Sequence, residues 1–408
     1  MKRDRVSAVK QTCQLSSVFA CILLAHSSLG QNCPVARIAF PTGVDESQAW
    51  AISSDGETVV GRVMGVGNPT AFVWSRNREM QFLTAEGFDS SLATGVSADG
   101  SVVVGIYQRS SDPSTRRAFR WTASGGSIDL GSFSNSANAW GVSDNGDVVV
   151  GDSVASDGSV QAFRWDANGG MRSLGKIVGG TDSWAYGVSA NGAVVVGASN
   201  VSGSFRAIRW TAESGVSELP GLDGYSSVAY AVSADGNAVV GWAKKETAGT
   251  GFRAFRWSAS TGVEFLPVLP GGKNAFAWSV SRDGSVIAGT SDNASGLQLP
   301  VVWSDKHGVL PIGVGDKRFI EGIVSVSGDG TSVSGSARSL IDGGPLSAYV
   351  WNNCCAADFH IDGFLDFSDF DAFVNSFEAG VETADRDGSG FISFEDFDRF
   401  VSLFEAGC

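Results

Sequence analysis

The chain has 408 residues, of which 43% are hydrophobic and 18% charged, and it contains 53 glycines, 25 phenylalanines and 12 tryptophans. This length exceeds the roughly 250–300 residues at which a single core stops growing, so it predicts one large domain with a small appendage. A formal net charge of −14 provides no basic surface for phosphate groups, and we therefore expect no nucleic-acid partner.

Residues 1–30 have the order of segments that is typical of a secretory signal peptide. Four basic residues come first, an apolar run from Val18 to Ala25 follows, and Ser28-Leu29-Gly30 ends the segment. The apolar run is shorter than the roughly 18 residues that span a bilayer, and no later stretch approaches that length. We predict a cleaved signal peptide over 1–30, a secreted protein that is extracellular or associated with a cell surface, and no membrane span.

An internal repeat occupies most of the remaining chain. A block that usually reads Ala-Phe-x-Trp recurs seven times at intervals of 44–48 residues, ending at Trp74, Trp121, Trp165, Trp210, Trp257, Trp303 and Trp351. Between these blocks an Asp-Gly or Asn-Gly turn recurs, and it is followed by a β-branched run such as Val102-Val-Val104. Each period contains four short strands, so we predict an all-β, seven-bladed propeller over residues 31–353.

The two ends of the repeat array predict how the ring closes. The seventh repeat stops at Trp351 without its last strand, and residues 36–41, ahead of the first repeat, resemble that strand. We predict that this N-terminal strand completes the seventh blade, which removes the exposed edges of an open array.

The repeats resemble the HAF family of extracellular repeats over roughly residues 46–351. The resemblance rests on Ala-Phe-x-Trp and on Val-Ser-x-Asp-Gly-x-Val-Val-Val-Gly, with departures at Ile208 and in the block Pro300-Val301-Val302-Trp303. It implies export and a propeller-like fold, and it implies no known reaction.

Two twelve-residue segments near the C-terminus, 358–369 and 385–396, have the pattern of EF-hand calcium loops. Hard Ca²⁺ prefers oxygen ligands, which such loops supply at positions 1, 3, 5, 7, 9 and 12 around a glycine at position 6. The first loop provides Asp358, His360, Asp362, Phe364 through its carbonyl, Asp366 and Asp369. The second provides Asp385, Asp387, Ser389, Phe391 through its carbonyl, Ser393 and Asp396. We predict two Ca²⁺ sites, the first weaker because His360 offers nitrogen in place of a carboxylate.

The segment after each loop predicts an amphipathic helix. Phe370, Phe373, Val374 and Phe377 lie on one helical face, and the same apolar pattern returns 27 residues later. We predict a small all-α module over 354–408 whose two helices bury their Phe faces against each other.

This module resembles a dockerin of the type that opens with Cys, here Cys354 or Cys355, and ends with Gly407-Cys408. The resemblance implies a cohesin-like or other cell-surface partner. The alternative is a calcium-stabilised cap with no docking role. After removal of the signal peptide, Cys33, Cys354, Cys355 and Cys408 remain, and in an exported chain they predict two disulfides with three possible connectivities.

The repeated polar and aromatic residues are interpreted as structural. We assign the turn carboxylates to turn geometry, the repeated Phe and Trp residues to the core between blades, and the repeated arginines Arg120, Arg164, Arg209 and Arg256 to inter-blade pairing. The loops at 109–117 and 244–251 break the repeat and are candidate binding loops.

The mature chain contains few residues that could support catalysis, and this guides the prediction of function. Only His307 and His360 remain, which makes a Ser/His/Asp or metal-hydrolase centre hard to assemble, and we expect no enzymatic activity. The leading hypothesis is a binding or display protein whose propeller contacts carbohydrate or matrix and whose tail docks it. The alternative is a dockerin-bearing carbohydrate-active enzyme, a polysaccharide hydrolase or lyase. A third is an extracellular structural component. An unrepeated carboxylate pair on one rim would favour the enzyme.

Overall fold

The computed structural model describes residues 36–352, except 66, 77, 248, 306–307, 313–317, 321–323 and 340–344, together with 367–379, 394, 397 and 400–401. The predicted signal peptide and all four cysteines expected to pair lie outside these residues. So do His307 and the predicted calcium ligands, apart from the backbone of Asp369. Among the described residues, no helix combines the length and apolarity needed to cross a bilayer.

Seven antiparallel sheets follow one another across the described part of residues 36–352, one for each repeat. The chain begins with the short strand β1 (Ala36–Arg37). Blades one to three then consist of β2 (Val44–Ile52), β3 (Thr58–Gly65), β4 (Gly67–Ser75), β5 (Arg78–Leu83); β6 (Ser90–Val96), β7 (Val102–Arg109), β8 (Asp112–Thr122), β9 (Gly126–Asp129); β10 (Ala137–Val142), β11 (Val148–Val154), β12 (Val160–Asp166) and β13 (Gly170–Ser173).

Blades four to six repeat the same order of four strands. They consist of β14 (Asp182–Val188), β15 (Val194–Val201), β16 (Ser204–Thr211), β17 (Gly215–Glu218); β18 (Tyr225–Val232), β19 (Val239–Lys245), β20 (Phe252–Ser258), β21 (Gly262–Phe265); β22 (Ala275–Val280), β23 (Val286–Asp292), β24 (Gln298–Ser304) and β25 (Gly308–Pro311). The first strand of each blade contacts the first strands of its two neighbours, so the innermost strands form a closed ring. The predicted seven-bladed propeller is confirmed.

The seventh blade combines strands from the two ends of the repeat array. Strands β26 (Arg318–Ile320) and β27 (Ser325–Val326) both pair with β28 (Ser332–Ser339), which pairs with β29 (Ser347–Asn352). Strand β1 then pairs antiparallel with β29, with Ala36 opposite Val350. The predicted closure by the N-terminal strand is therefore confirmed.

The hydrogen bonds between the seventh and first blades match those between interior blades. The amide of Ala348 donates to the hydroxyl of Ser47 at 2.9 Å, as the amide of Ala162 donates to the hydroxyl of Ser183 at 3.0 Å. Each alanine begins the Ala-Phe-x-Trp or Ala-Tyr-x-Trp block of its blade, and each serine lies on the first strand of the next. This contact between the seventh and first blades, which we call the seam, is thus hydrogen-bonded like any other inter-blade contact.

The core of the propeller lies between neighbouring blades. One cluster joins Val60 and Ala71 of the first blade to Ala93, Val103 and Phe119 of the second. The phenylalanines of the repeated block have no exposed surface at four positions, namely Phe72, Phe119, Phe163 and Phe255. The predicted inter-blade role of these rings is confirmed, and their burial supplies much of the hydrophobic stabilisation of the ring.

The turn between the first and second strands of each blade is built by its own side chains. In the second blade Asp99 accepts hydrogen bonds from the hydroxyl of Ser97 at 2.7 Å and from the amide of Ser101 at 3.0 Å. Gly100 follows with φ +71°, which a residue with a side chain adopts only at a cost. The recurring carboxylates are therefore turn residues, as predicted.

The C-terminal residues are described in part, and they belong to a compact unit separate from Val35–Trp351. Helix α1 (Phe367–Ala379) forms where the sequence predicts the helix after the first calcium loop. Phe373 and Phe400 have no exposed surface, and their rings stack with centroids 3.9 Å apart. This contact joins the two copies of the repeated Phe pattern.

Candidate ligand cavity on the propeller axis

A β-bulge in the first strand of six blades turns one extra side chain toward the propeller axis. In the third blade Ala139 pairs with Gly151 and Gly141 with Val150, so Trp140 has no partner residue of its own on β11. A methyl group at Gly151 would lie 1.9 Å from the carbonyl oxygen of Asn138. The glycine that ends Val-Val-Val-Gly therefore permits the close approach that the bulge requires.

The bulged residues form a set that we call the belt: Trp50, Thr94, Trp140, Tyr186, Tyr230 and Trp278. Its aromatic members contact one another in sequence, with ring centroids 6.3 Å apart for Trp140 and Tyr186, 5.1 Å for Tyr186 and Tyr230, and 4.8 Å for Tyr230 and Trp278. Trp50 and Trp140 also stack at 6.5 Å. The five aromatic rings keep part of their surface exposed.

Polar contacts hold several belt rings in place. The indole of Trp140 donates to Asp152 at 2.5 Å, and the indole of Trp278 lies 3.3 Å from the hydroxyl of Thr290. Burial raises the pKa of Asp152, although hydrogen bonds from Trp140 and Asn138 oppose this effect. Burial, together with the proximity of Tyr230 and Asp152, also raises the pKa of the Tyr186 phenol. At neutral pH the Tyr186 ring is thus uncharged.

The belt forms one end of an axial cavity of about 580 Å³. Small residues follow the belt, and at Gly141 a methyl group would lie 2.8 Å from the carbonyl oxygen of Tyr186 in the next blade. The cavity wall beyond them is aliphatic and consists of Ile52, Val96, Val142, Val188, Val232 and Val280, with Val326 completing the set. The volume is that of a small-molecule site, and the lining is mainly apolar.

The rim of the cavity is a ring of backbone hydrogen bonds between the turns. The amide of Ser54 donates to the carbonyl of Ala98 at 3.0 Å, and the amide of Ala98 donates to that of Asp144 at 3.0 Å. The series continues through Ala190, Ala234, Arg282 and Gly328, and the amide of Asp329 returns to the carbonyl of Ser54 at 3.4 Å. This ring of turns surrounds the cavity mouth.

An ion pair crosses that mouth. The guanidinium of Arg282 in the sixth blade contacts the carboxylate of Asp144 in the third blade, and both side chains are partly exposed. Among the described residues that line the cavity, these two are the charged ones. They replace the alanine that three other blades place at this position of the turn.

The repeated arginines and the two irregular loops lie away from the axial cavity. The guanidiniums of Arg120 and Arg164 donate to the carbonyls of Gly146 and Gly192 in the next blade, so their predicted inter-blade role is confirmed. The loops at 109–117 and 244–251 lie outside the cavity lining. In the described part of the chain no cluster of His, Cys, Asp and Glu could hold a metal ion, and the predicted calcium loops lie almost entirely outside that part.

The belt itself was not predicted from the sequence. Its members stand five residues before the Asp or Asn of each turn, a position that is aromatic in five of the seven repeats. That aromatic bias was the available signal. It was hidden because the flanking Ala and Val residues alternate as in an ordinary strand, which gives no sign of a bulge.

Comparison with known proteins supports the fold. No protein-family model and no curated protein sequence matches this chain. It is similar in structure to an oligogalacturonate lyase from Vibrio parahaemolyticus, at 11% identity and TM-score 0.54, over 78% of this chain and 93% of that one. It is also similar to an oligogalacturonate lyase in complex with manganese, at 13% identity and TM-score 0.54, over 79% and 97% of the two chains. The β-propeller domain of the Trilobed protease from Pyrococcus furiosus matches at 12% identity and TM-score 0.50, over 76% and 94%. At these identities the likeness concerns the propeller fold alone.

Proposed function

We propose that this chain is an exported binding protein. Its propeller holds a ligand in the axial cavity, and its C-terminal module binds Ca²⁺ and docks the protein to a cell-surface or extracellular partner. The observation that carries the proposal is the belt, a group of aromatic rings that stay partly exposed inside a cavity of ligand size. Exposed aromatic surface in a concave site is typical of ligand recognition.

The charges at the cavity favour binding over catalysis. The rim offers the single carboxylate of Asp144, and that group is paired with Arg282. Glycoside hydrolysis commonly uses two carboxylates on either side of the scissile bond. The described cavity lining supplies no second carboxylate, since Asp152 lies beyond the lining residues and is bound by Trp140 and Asn138.

The cavity can be tested with the mature chain by following tryptophan fluorescence, because Trp50, Trp140 and Trp278 belong to the belt. Tyr230→Leu removes a belt ring and its hydroxyl while keeping an apolar side chain. We expect it to weaken ligand binding about fivefold or more, since a stacked ring contributes on the order of 1 kcal/mol or more. Phe82→Leu, which changes an exposed ring outside the cavity, is the matched control. Equal binding by both variants would place the ligand elsewhere.

The C-terminal module is proposed to span residues 354–408 and to hold two Ca²⁺ ions. The stacked Phe373 and Phe400 support it, because they join the segments that follow the two loops. Titration of the mature chain with CaCl₂ should show two sites of unequal affinity. Asp387→Ala should remove the tighter site, and Asp362→Ala the weaker one.

Docking is tested by capturing envelope proteins on the mature chain with and without Ca²⁺. A partner retained only with Ca²⁺, and lost in Asp387→Ala, supports the docking role. If Ca²⁺ binds but no captured protein depends on it, the module is a calcium-stabilised cap and the docking role is wrong.

A further inference from the structure

The chemistry of the axial cavity changes along its length. Aromatic rings form one end, aliphatic side chains form the wall, and the ion pair of Asp144 and Arg282 lies at the mouth. A ligand that enters through this mouth passes these two charges before it reaches the rings. The cavity therefore presents an apolar interior behind a pair of opposite charges.

The position of Arg282 depends on a neighbouring glycine. A methyl group at Gly328 would lie 2.6 Å from Cδ of Arg282 and 2.5 Å from the hydroxyl of Ser54. Gly328 is thus the residue that leaves room for the arginine side chain to extend over the mouth. The corresponding turn positions of the second, fourth and fifth blades carry alanine.

Opening this mouth has an electrostatic consequence. A neutral ligand that separated the pair would leave two charges without partners, which costs free energy in a partly desolvated site. A ligand with one charge would satisfy one side chain only. A ligand that carries both a carboxylate and an ammonium can pair with both Arg282 and Asp144.

We propose that the cavity binds a zwitterion of the α-amino-acid class with an aromatic or large aliphatic side chain. The ligand carboxylate pairs with Arg282, its ammonium pairs with Asp144, and its side chain enters the cavity and contacts the belt. A volume of about 580 Å³ accommodates such a molecule. This inference rests on the proposed function, since it names the ligand class of the same cavity.

The test measures binding of defined probes to the mature chain by calorimetry and by belt tryptophan fluorescence. L-Phenylalanine and L-leucine are compared with N-acetyl-phenylalanine amide, which keeps the ring and lacks both charges. Glycine keeps both charges and lacks the apolar side chain. A galacturonate oligosaccharide represents the carbohydrate class. We expect phenylalanine to bind more than tenfold more tightly than the blocked compound and than glycine, because a hydrogen-bonded charge pair and a buried ring each contribute that much.

Two variants test the assignment of the charges. Asp144→Asn and Arg282→Gln should each weaken phenylalanine binding about tenfold or more and leave that of the blocked compound unchanged. Arg256→Gln is the matched control, because Arg256 pairs with Glu264 and Asp305 outside the axial cavity. Circular dichroism and thermal unfolding establish that each variant is folded.

The outcomes separate the inference from the proposed function. If the blocked compound binds as tightly as phenylalanine, or the charge variants bind phenylalanine normally, the zwitterion inference is wrong and the binding function stands. If the oligosaccharide is the one probe that binds, and Tyr230→Leu abolishes its binding, the zwitterion inference is likewise wrong and the binding function stands. If none of the probes changes the fluorescence or releases heat, both the inference and the proposed role of the cavity are overturned.

Discussion

The indole nitrogen of Trp140 donates a hydrogen bond to a buried carboxylate oxygen of Asp152 at 2.5 Å, and the side-chain amide of Asn138 donates to the other oxygen at 2.8 Å. The equivalent of Asp152 is Thr290 in the sixth blade and Trp242 in the fifth, and both also contact the belt residue of their own blade. The side chain that follows the bulge glycine therefore orients each of these belt rings.

The pH dependence of stability should reveal the cost of burying Asp152. Its pKa is raised in the folded state, so its contribution to stability is full below the unfolded pKa of about 3.9 and is lost as pH rises through the folded value. Asp152→Asn stays neutral, and its free energy of unfolding should rise relative to wild type as pH increases from about 3 to 7. Urea denaturation across this range measures the difference.

Asp157→Asn in the same blade provides a control of opposite sign. Hydrogen bonds from the Ser159 hydroxyl and amide lower the pKa of Asp157, so its contribution is present above the unfolded pKa and is lost in acid. This variant should lose stability relative to wild type as pH rises. If the stabilities of both variants relative to wild type changed in the same direction with pH, the raised pKa of Asp152 would be contradicted.

Replacing the turn carboxylate by asparagine should cost less stability than replacing it by alanine. Asp99→Ala removes the acceptor for Ser97 and Ser101 and should cost about 1–2 kcal/mol in the free energy of unfolding. Asp99→Asn should cost less, because Asn145 and Asn191 accept the same hydrogen bonds in the third and fourth blades.

The advantage of Asp99 over asparagine should disappear in acid. Burial raises its pKa, but the hydrogen bonds from Ser101 and Ser97 outweigh burial and lower the pKa overall. The stability difference between wild type and Asp99→Asn is thus present above about pH 4 and lost as pH falls. Chemical denaturation at pH 3 and pH 7 checks this, and a pH-independent difference would contradict it.

Substitution of a bulge glycine by alanine should cost more stability than the same substitution at a turn glycine with open surroundings. Gly151→Ala places a methyl group 1.9 Å from the carbonyl of Asn138 and should cost about 3 kcal/mol or more, with a changed belt fluorescence. Gly158→Ala, with φ +83° and no atom within 4 Å, should cost about 1 kcal/mol from backbone strain alone. Comparable unfolding midpoints for the two variants would show that the bulge relaxes without penalty.

Closure of the ring should depend on the buried side chain that follows β1. Ile38 is 1% exposed and packs with Val59, Phe72 and Val350 at the seam, so Ile38→Ala should cost about 2–5 kcal/mol. Ile128→Ala, at a position that is 44% exposed, should change stability by about 0.5 kcal/mol or less. If thermal and urea unfolding do not separate the two variants, the N-terminal strand contributes little to closure.

The sequence by itself determined the blade count, the turns and the closing strand. The blade count and the turns follow from local chemistry that recurs in every repeat, such as the positive φ of Gly100 and the apolar block that ends at Trp121. The closing strand follows from a seventh unit that lacks its last strand. A repeated unit must bury the same faces each time, and therefore the period alone predicts how the units stack.

Only the tertiary structure decided the cavity. Trp140 reaches the axis because of the register between β10 and β11, and Asp144 meets Arg282 because ring closure places the third and sixth blades opposite each other. Strand periodicity contains no information on a bulge, and charges far apart in the sequence become partners only after closure. For this reason the repeated residues that build the blades were predictable from the sequence, whereas the grouping of residues in the axial cavity was not.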